Sequence, residues 1–307
     1  MDAQTLDNLR INMGGPWENA LAFMLALMMF AVALGLRPAH FAFFKTDPKH
    51  YLAGVATQII GLPLLTLGLV WVLQPLPSLA LGMIVVACCP GGNVSNLFTL
   101  FGRGNTALSV SLTATSSLAA AFITPISILF WLSLYPPTEH ILKTIHFDAG
   151  RFLSQSLLIL VLPILSGMAL AHKFPRRAKA WQKPLALIGG LSMLAIVLFG
   201  FWKYRDLIPR LASLVIPLVI LHNASAFALG WLVGRLTKAD QPTRRALTFE
   251  IGIQNSGLGF VILVTQLAGL GGAAVLVGMW GLWHMIGGAC VAFLFRLADI
   301  KNKHQHT

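Results

Sequence analysis

The sequence predicts an all-α polytopic membrane protein, built as one transmembrane domain over residues 1–307 with nine membrane-spanning helices. Three observations predict it. The chain is 56% hydrophobic and only 10% charged, where soluble domains carry about 25% charged residues. Its mean hydropathy is +0.76. Apolar runs recur at the length of about 20 residues that crosses a roughly 30 Å hydrocarbon core, near 17–36, 50–73, 79–101, 105–134, 150–172, 184–201, 209–234, 246–269 and 271–295. Prolines 63, 90, 125, 163 and 217 interrupt several runs, which is tolerable where neighbouring helices satisfy the freed carbonyls.

The connections justify the division. Arg37, Lys45 and Lys49 part the first two segments, and the turn Gly102-Arg103-Gly104-Asn105 parts the third from the fourth. Lys173, Arg176, Arg177, Lys179 and Lys183 precede the sixth; Arg235, Lys238, Arg244 and Arg245 precede the eighth; Arg296, Lys301 and Lys303 follow the ninth. One set of loops thus holds sixteen Lys and Arg and the opposite face six (Arg10, Lys143, Arg151, Lys203, Arg205 and Arg210). The positive-inside bias then places the N-terminus outside and the C-terminus in the cytoplasm, as an odd helix count requires. In a bacterial cell this is a multi-pass inner-membrane protein.

A net charge of +12 does not point to nucleic acid, because the bases form short clusters between apolar runs. No obligate protein partner is implied. Cys88, Cys89 and Cys290 lie within apolar segments, and adjacent cysteines cannot form a relaxed disulfide, so they read as small packing residues. The first sixteen residues contain Asp2, Asp7 and Arg10 without an apolar stretch, so no cleavable signal is expected.

Glu250 is the acidic residue that falls deep inside a membrane-length segment. The other nine acids, among them Asp206 and Asp299, fall in the N-terminal stretch, loops, tail or, for Glu18, a segment edge. A carboxylate in hydrocarbon costs at least about 2.5–3.5 kcal/mol and survives with a cation, proton or dipole beside it. Glu250 opens the run Glu250-Ile251-Gly252-Ile253-Gln254-Asn255-Ser256-Gly257-Leu258-Gly259, and the third segment carries Cys88-Cys89-Pro90-Gly91-Gly92-Asn93-Val94-Ser95-Asn96. Paired polar, Gly-containing interruptions in antiparallel halves point to an inverted-repeat transporter with its site at the midplane. Close packing of small residues is the competing explanation for either patch alone. On the fourth segment Ser109 and Thr113 share a face, with Ser111, Thr115, Ser116 and Ser117 expected on others. Gln58 is a lone polar residue on the second segment, either interhelical glue or a ligand. No Lys or Arg is expected within the helix interiors.

Pro90 to Asn96, Arg103-Gly104-Asn105-Thr106-Ala107-Leu108-Ser109-Val110, Leu221-His222-Asn223 and the Glu250 run together resemble the bile acid:sodium symporter family, with similarity running through nearly all nine segments. The resemblance implies a sodium-coupled importer of an organic anion, bile acid-like, pantoate-like or a 2-oxo acid, working by alternating access and not as an enzyme. It implies a core from the segments near 50–134 and 209–295, with crossing broken helices, and a panel from those near 17–36, 150–172 and 184–201. It implies two sodium sites, one of Ser95, Asn96, Ser109, Thr113 and Glu250, the other of Glu250, the backbone of Ile251 and Ile253, Gln254 and Gln58. Substrate contacts would come from Asn93, Asn255, Ser256, Asn223 and His284. The chain resembles nine-helix animal members more than ten-helix bacterial ones. It carries Asn93-Val94 where bacterial members usually have Thr-Ala, a change expected beside the substrate.

Two other readings stay open. A distantly related arsenite-type exporter would use Cys88 or Cys89, and an intramembrane serine hydrolase would use Ser256 with His284. No His or Cys cluster has transition-metal spacing.

Overall fold

In the computed structural model the chain is described at Arg10, residues 15–203, Arg205 and residues 208–304. Asp2, Asp7 and Asp206 lie outside these. The α-helices of eight residues or more are α1 (Gly15–Gly35), α2 (Pro48–Ala56), α3 (Leu62–Leu73), α4 (Pro77–Ala87), α5 (Val94–Phe101), α6 (Thr106–Ser133), α7 (Pro136–Thr144), α8 (Ala149–Lys173), α9 (Pro175–Lys203), α10 (Ile208–Leu236), α11 (Gln241–Gly252), α12 (Ser256–Gln266) and α13 (Gly271–His304). A π-helical turn, Thr57–Gly61, joins α2 to α3. No strand occurs among the described residues, only isolated bridges between Arg10 and Leu270 and between Gly91 and Gln254.

Local chemistry sets the helix starts. The side chains of Asn105, Asp148, Asp240 and Asn255 accept from the amides of Leu108, Arg151, Thr243 and Leu258 at 3.1, 3.0, 3.0 and 3.2 Å. Each satisfies a donor that the first turn leaves without a helical partner. Pro48, Pro77, Pro136 and Pro242 stand in first turns, where the missing N–H costs nothing.

Among the described residues six stretches are long and apolar enough to cross a membrane: Trp17–Gly35, Pro48–Leu73, Thr106–Ser133, Ala149–Lys173, Ser213–Leu236 and Gly271–Lys301. The expected third and eighth segments are each split, into α4 and α5 and into α11 and α12. With eleven residues each, α4 and α12 rise about 16 Å at 1.5 Å per residue, half of a hydrocarbon core. The expected sixth segment falls within α9, which is not among the six, and several of its side chains lie outside the description.

α1 packs on α8 and α9, α10 packs along α11, and α13 packs on α4, α10 and α12. Residues Ser78–Ala87 of α4 and Leu258–Val264 of α12 are buried throughout. With Ala273–Val277 and Trp280 of α13 they build the main apolar core. Large side chains such as Phe23, Leu64, Phe130, Leu158, Leu187 and Phe293 face outward, as lipid-facing helix surfaces do.

Asp299 departs from expectation. It sits in α13 and receives Arg245 through two hydrogen bonds, 2.5 and 3.0 Å, with Arg103 at 3.3 Å. Arg245, expected in a loop, lies in α11, is buried, and also donates to the carbonyl of Gly102 at 2.9 Å. Bidentate pairing and carbonyl acceptors let a guanidinium be buried. One side chain thus ties together the ends of α5, α11 and α13.

Candidate functional site

The two broken helices meet backbone to backbone. The amide of Gly92 donates to Ile253 at 2.9 Å, and the amide of Asn255 donates to Pro90 at 2.8 Å. Chain breaks strand carbonyls that buried surroundings must satisfy, and side chains do so here. Thr124 donates to Cys88 at 2.9 Å, Gln58 to Cys89 at 3.0 Å, Gln254 to Ile251 at 2.8 Å, and Asn223 to Gly252 at 2.7 Å. The amide of Gly91 finds Ser116 Oγ at 3.3 Å. Sequence reading left Ser116 on another face of its helix. Ser109, Thr113 and Ser116 in fact recur at i, i+4 and i+7, one face of an α-helix.

Glu250 lies at this crossing, 1% exposed. Its Oε2 accepts from Ser95 at 2.7 Å, Ser109 at 3.1 Å and Thr113 at 2.9 Å. The Thr113 hydroxyl also stands 2.8 Å from Glu250 Oε1, 3.4 Å from Asn96 Oδ1 and 3.3 Å from Ser95 Oγ. A hydroxyl has one proton, so it cannot serve all of these acceptors together. Thr99, absent from the sequence-based set, donates to Ser109 Oγ at 3.2 Å. Among the described residues Glu250 makes no ion pair. Gly91 is required here by contact, because a Cβ would run into Glu250 Oε1 and stand 3.0 Å from its Cδ.

Gln58 and Gln254 form a second, different cluster. Gln58 Nε2 donates to Gln254 Oε1 at 2.6 Å, and Gln254 Nε2 returns to Gln58 Oε1 at 3.2 Å. The π-helical turn carries Gln58, and the strand-like residues between α11 and α12 carry Gln254.

A cavity of about 330 Å³ adjoins the first cluster, lined by Asn93, Asn96 and Thr113 from α5, its approach and α6, and by Gly35, Arg37, His40 and Gln182 from the α1 and α9 side. Burial first, and then the neighbouring Arg37, holds His40 below the usual imidazole value. Arg37, His40 and Gln182 escaped sequence reading, since nothing in their local pattern separates them from loop or surface residues.

Asn255, Ser256, Asn223 and His284 do not line this cavity. Asn255 caps α12, Asn223 holds the Gly252 carbonyl, and His284 Nδ1 lies 3.1 Å from the carbonyl of Trp280. A Cβ at Gly281 would meet Ser256 Oγ. Cys89, just past the end of α4, donates to the Val85 carbonyl at 3.2 Å, and Cys88 accepts from Ser127 at 3.4 Å. Among the described residues no group of three or more His, Cys, Asp or Glu could hold a metal.

A model of the Sodium Bile acid symporter family matches residues 22–208. The chain belongs to this family. It is 30% identical over 272 residues to an uncharacterized sodium-dependent transporter of Bacillus subtilis, YocS, covering 89% of this chain and 81% of that one. It is 28% identical over 245 residues to the human ileal sodium/bile acid cotransporter, covering 78% and 68%. It is 31% identical over 249 residues to the Arabidopsis thaliana probable sodium/metabolite cotransporter BASS1, covering 81% of this chain but only 60% of the relative. Family members are sodium-dependent transporters by these names, and Glu250 lies beyond the stretch that the family model matches.

Proposed function

We propose that the protein is a sodium-coupled symporter that imports an organic anion by alternating access. The observation that carries this is the Glu250 cluster. A buried carboxylate without a basic partner converges with Ser95, Ser109, Thr113 and Asn96 oxygens, and has fewer protons than acceptors. Hard oxygen ligands with one full negative charge suit a small monovalent cation, and its charge would offset the cost of burying the carboxylate. These five residues would hold the first sodium. The second would share Glu250 and use Gln254, Gln58 and the carbonyls of Ile251 and Ile253. Those carbonyls already accept from Gln254 and Gly92, but each keeps a second lone pair.

The anion would enter the cavity beside Asn93, close to the N-terminal end of α5, whose dipole favours negative charge. At about 330 Å³ the space is at the low end of ligand pockets, which favours small hydroxy or oxo acids over a steroid. Asn255, Ser256, Asn223 and His284 would reach the anion only after rearrangement of the crossing. α1, α8 and α9 would form the panel against which the remaining helices move, with nine spans, N-terminus outside and C-terminus cytoplasmic in the inner membrane. Two sodium ions with one monovalent anion would carry one net positive charge, worth about 2.3 kcal/mol per 100 mV.

The test is thermal stability of purified protein in sodium against potassium, across a panel of organic anions, followed by uptake into vesicles. Stabilisation by sodium, deepened by one class of anion, is expected. Equal stabilisation by potassium, with uptake indifferent to sodium, would rule the reading out.

A further inference from the structure

A second cavity, about 660 Å³, lies where α1 and α8 end and α9 begins. Leu34, Met168 and Pro175 supply apolar wall, while Arg37, His172, Arg176 and Lys179 also line it. The charge there is one-sided, because no Asp or Glu occurs from Ala149 through Arg205. Among the described residues none of Arg37, Lys173, Arg176, Arg177 and Lys179 pairs with an acid. Lys173 and Arg177 flank the Phe174 ring at 5.7 and 5.3 Å from its centroid. Phe174 and Trp181 are 38% and 48% exposed, and Trp in particular gathers at headgroup depth.

We infer that this cavity seats an anionic phospholipid, its phosphate among Arg37, His172, Arg176 and Lys179 and an acyl chain along Leu34 and Met168. Basic pockets between helix ends on the positive-rich face recognise such headgroups. A soluble phosphate would use the cations but has no use for the apolar wall, so the lipid accounts for both. Arg37 also lines the smaller cavity beside Asn93, so a bound headgroup stands next to the proposed anion path. The inference rests on membrane embedding and not on the transport reading.

The full chain, purified in mixed micelles without sodium, tests it. Phosphatidylglycerol is expected to raise the unfolding midpoint by a few degrees over phosphatidylcholine. The double change Arg176→Gln with Lys179→Gln should remove most of that shift, whereas Arg235→Gln with Lys238→Gln, equal in charge but elsewhere, should keep it. Inorganic phosphate added to phosphatidylcholine micelles should not reproduce it. Equal midpoints in the two lipids, an equal loss in both double variants, a shift retained without Arg176 and Lys179, or a full shift with inorganic phosphate would each overturn the inference. Should the first double variant fail to fold, lipid co-purified with the natural chain from an equal mixture decides: enrichment of phosphatidylglycerol supports the site, and none overturns it.

Discussion

The hydroxyl cluster around Glu250 and the Gln58–Gln254 pair meet at one helix crossing, yet they stand in opposite states of hydrogen-bond balance. Around Glu250 several oxygens compete for three hydroxyl protons from Ser95, Ser109 and Thr113. Between the glutamines donors and acceptors answer each other, with surplus protons spent on the carbonyls of Cys89 and Ile251. A cluster short of protons gains from a cation. A satisfied cluster must first give up bonds. The comparison therefore predicts tighter sodium binding at the first set, with the second filling at the cost of the amide pairing.

The largest expected effect comes from Glu250→Gln, which removes the full charge common to both sets. Sodium-dependent uptake should fall to background, and the sodium-induced rise in unfolding temperature should vanish. Stability without sodium should hold or increase, because the buried charge is gone. Wild-type sodium binding in this variant would break the comparison at its root.

Next come the two glycines of the crossing. Gly91→Ala drives a methyl into the carboxylate, whereas the same change at Gly92 stops 3.2 Å from the Gln254 carbonyl. Overpacking costs about 1–3 kcal/mol, so sodium affinity should fall roughly 10-fold or more for Gly91→Ala and clearly less for Gly92→Ala. Isothermal titration with sodium, substrate absent, ranks them.

Hydroxyl removal should sharpen the contrast further. Thr113→Val withdraws the hydroxyl that reaches both carboxylate oxygens and Asn96, while Ser109→Ala removes a single 3.1 Å bond to the carboxylate together with the 3.2 Å bond from Thr99. With about 1.5–3 kcal/mol for a hydrogen bond to a charged group, Thr113→Val should weaken sodium binding the more. The reverse order would mean that Ser109 holds the ion.

For the glutamines a double-mutant cycle of Gln58→Ala and Gln254→Ala should show coupling of about 0.5–3 kcal/mol in stability, with a smaller loss of sodium affinity than Thr113→Val. The smallest effect is expected for Cys88→Ala and Cys89→Ala, whose thiols bond to Ser127 in the first case and to the backbone of Val85 and Gly259 in the second. Sodium-driven uptake should persist in both. Its loss, with sodium binding intact, would return the cysteine-based exporter reading.

Much of the crossing was legible before any fold was known. Gly91-Gly92 and Gly252 with Gln254 announced two breaks, and the helices stop at Ala87 and Gly252 and resume at Val94 and Ser256. Ser116 was misplaced because several hydroxyls crowd α6 and one periodicity cannot say which face is used. Asp299 looked like a tail residue because α13 continues past the apolar stretch to His304, which places it beside Arg245.

By itself the sequence determined the class, the two interruptions and the isolation of Glu250, since each follows from hydropathy, from backbone-breaking residues or from the cost of a charge in lipid. The tertiary structure alone decided partners. Thr113 and Glu250 are 137 positions apart, and Gln58 and Gln254 are 196 apart. It also decided that Asn93 faces the smaller cavity while Asn223, Asn255 and His284 bond to backbone or cap a helix. Periodicity reports which face a residue occupies within its own helix. Which surface meets that face is chosen by packing between elements, and no local pattern in the chain records it.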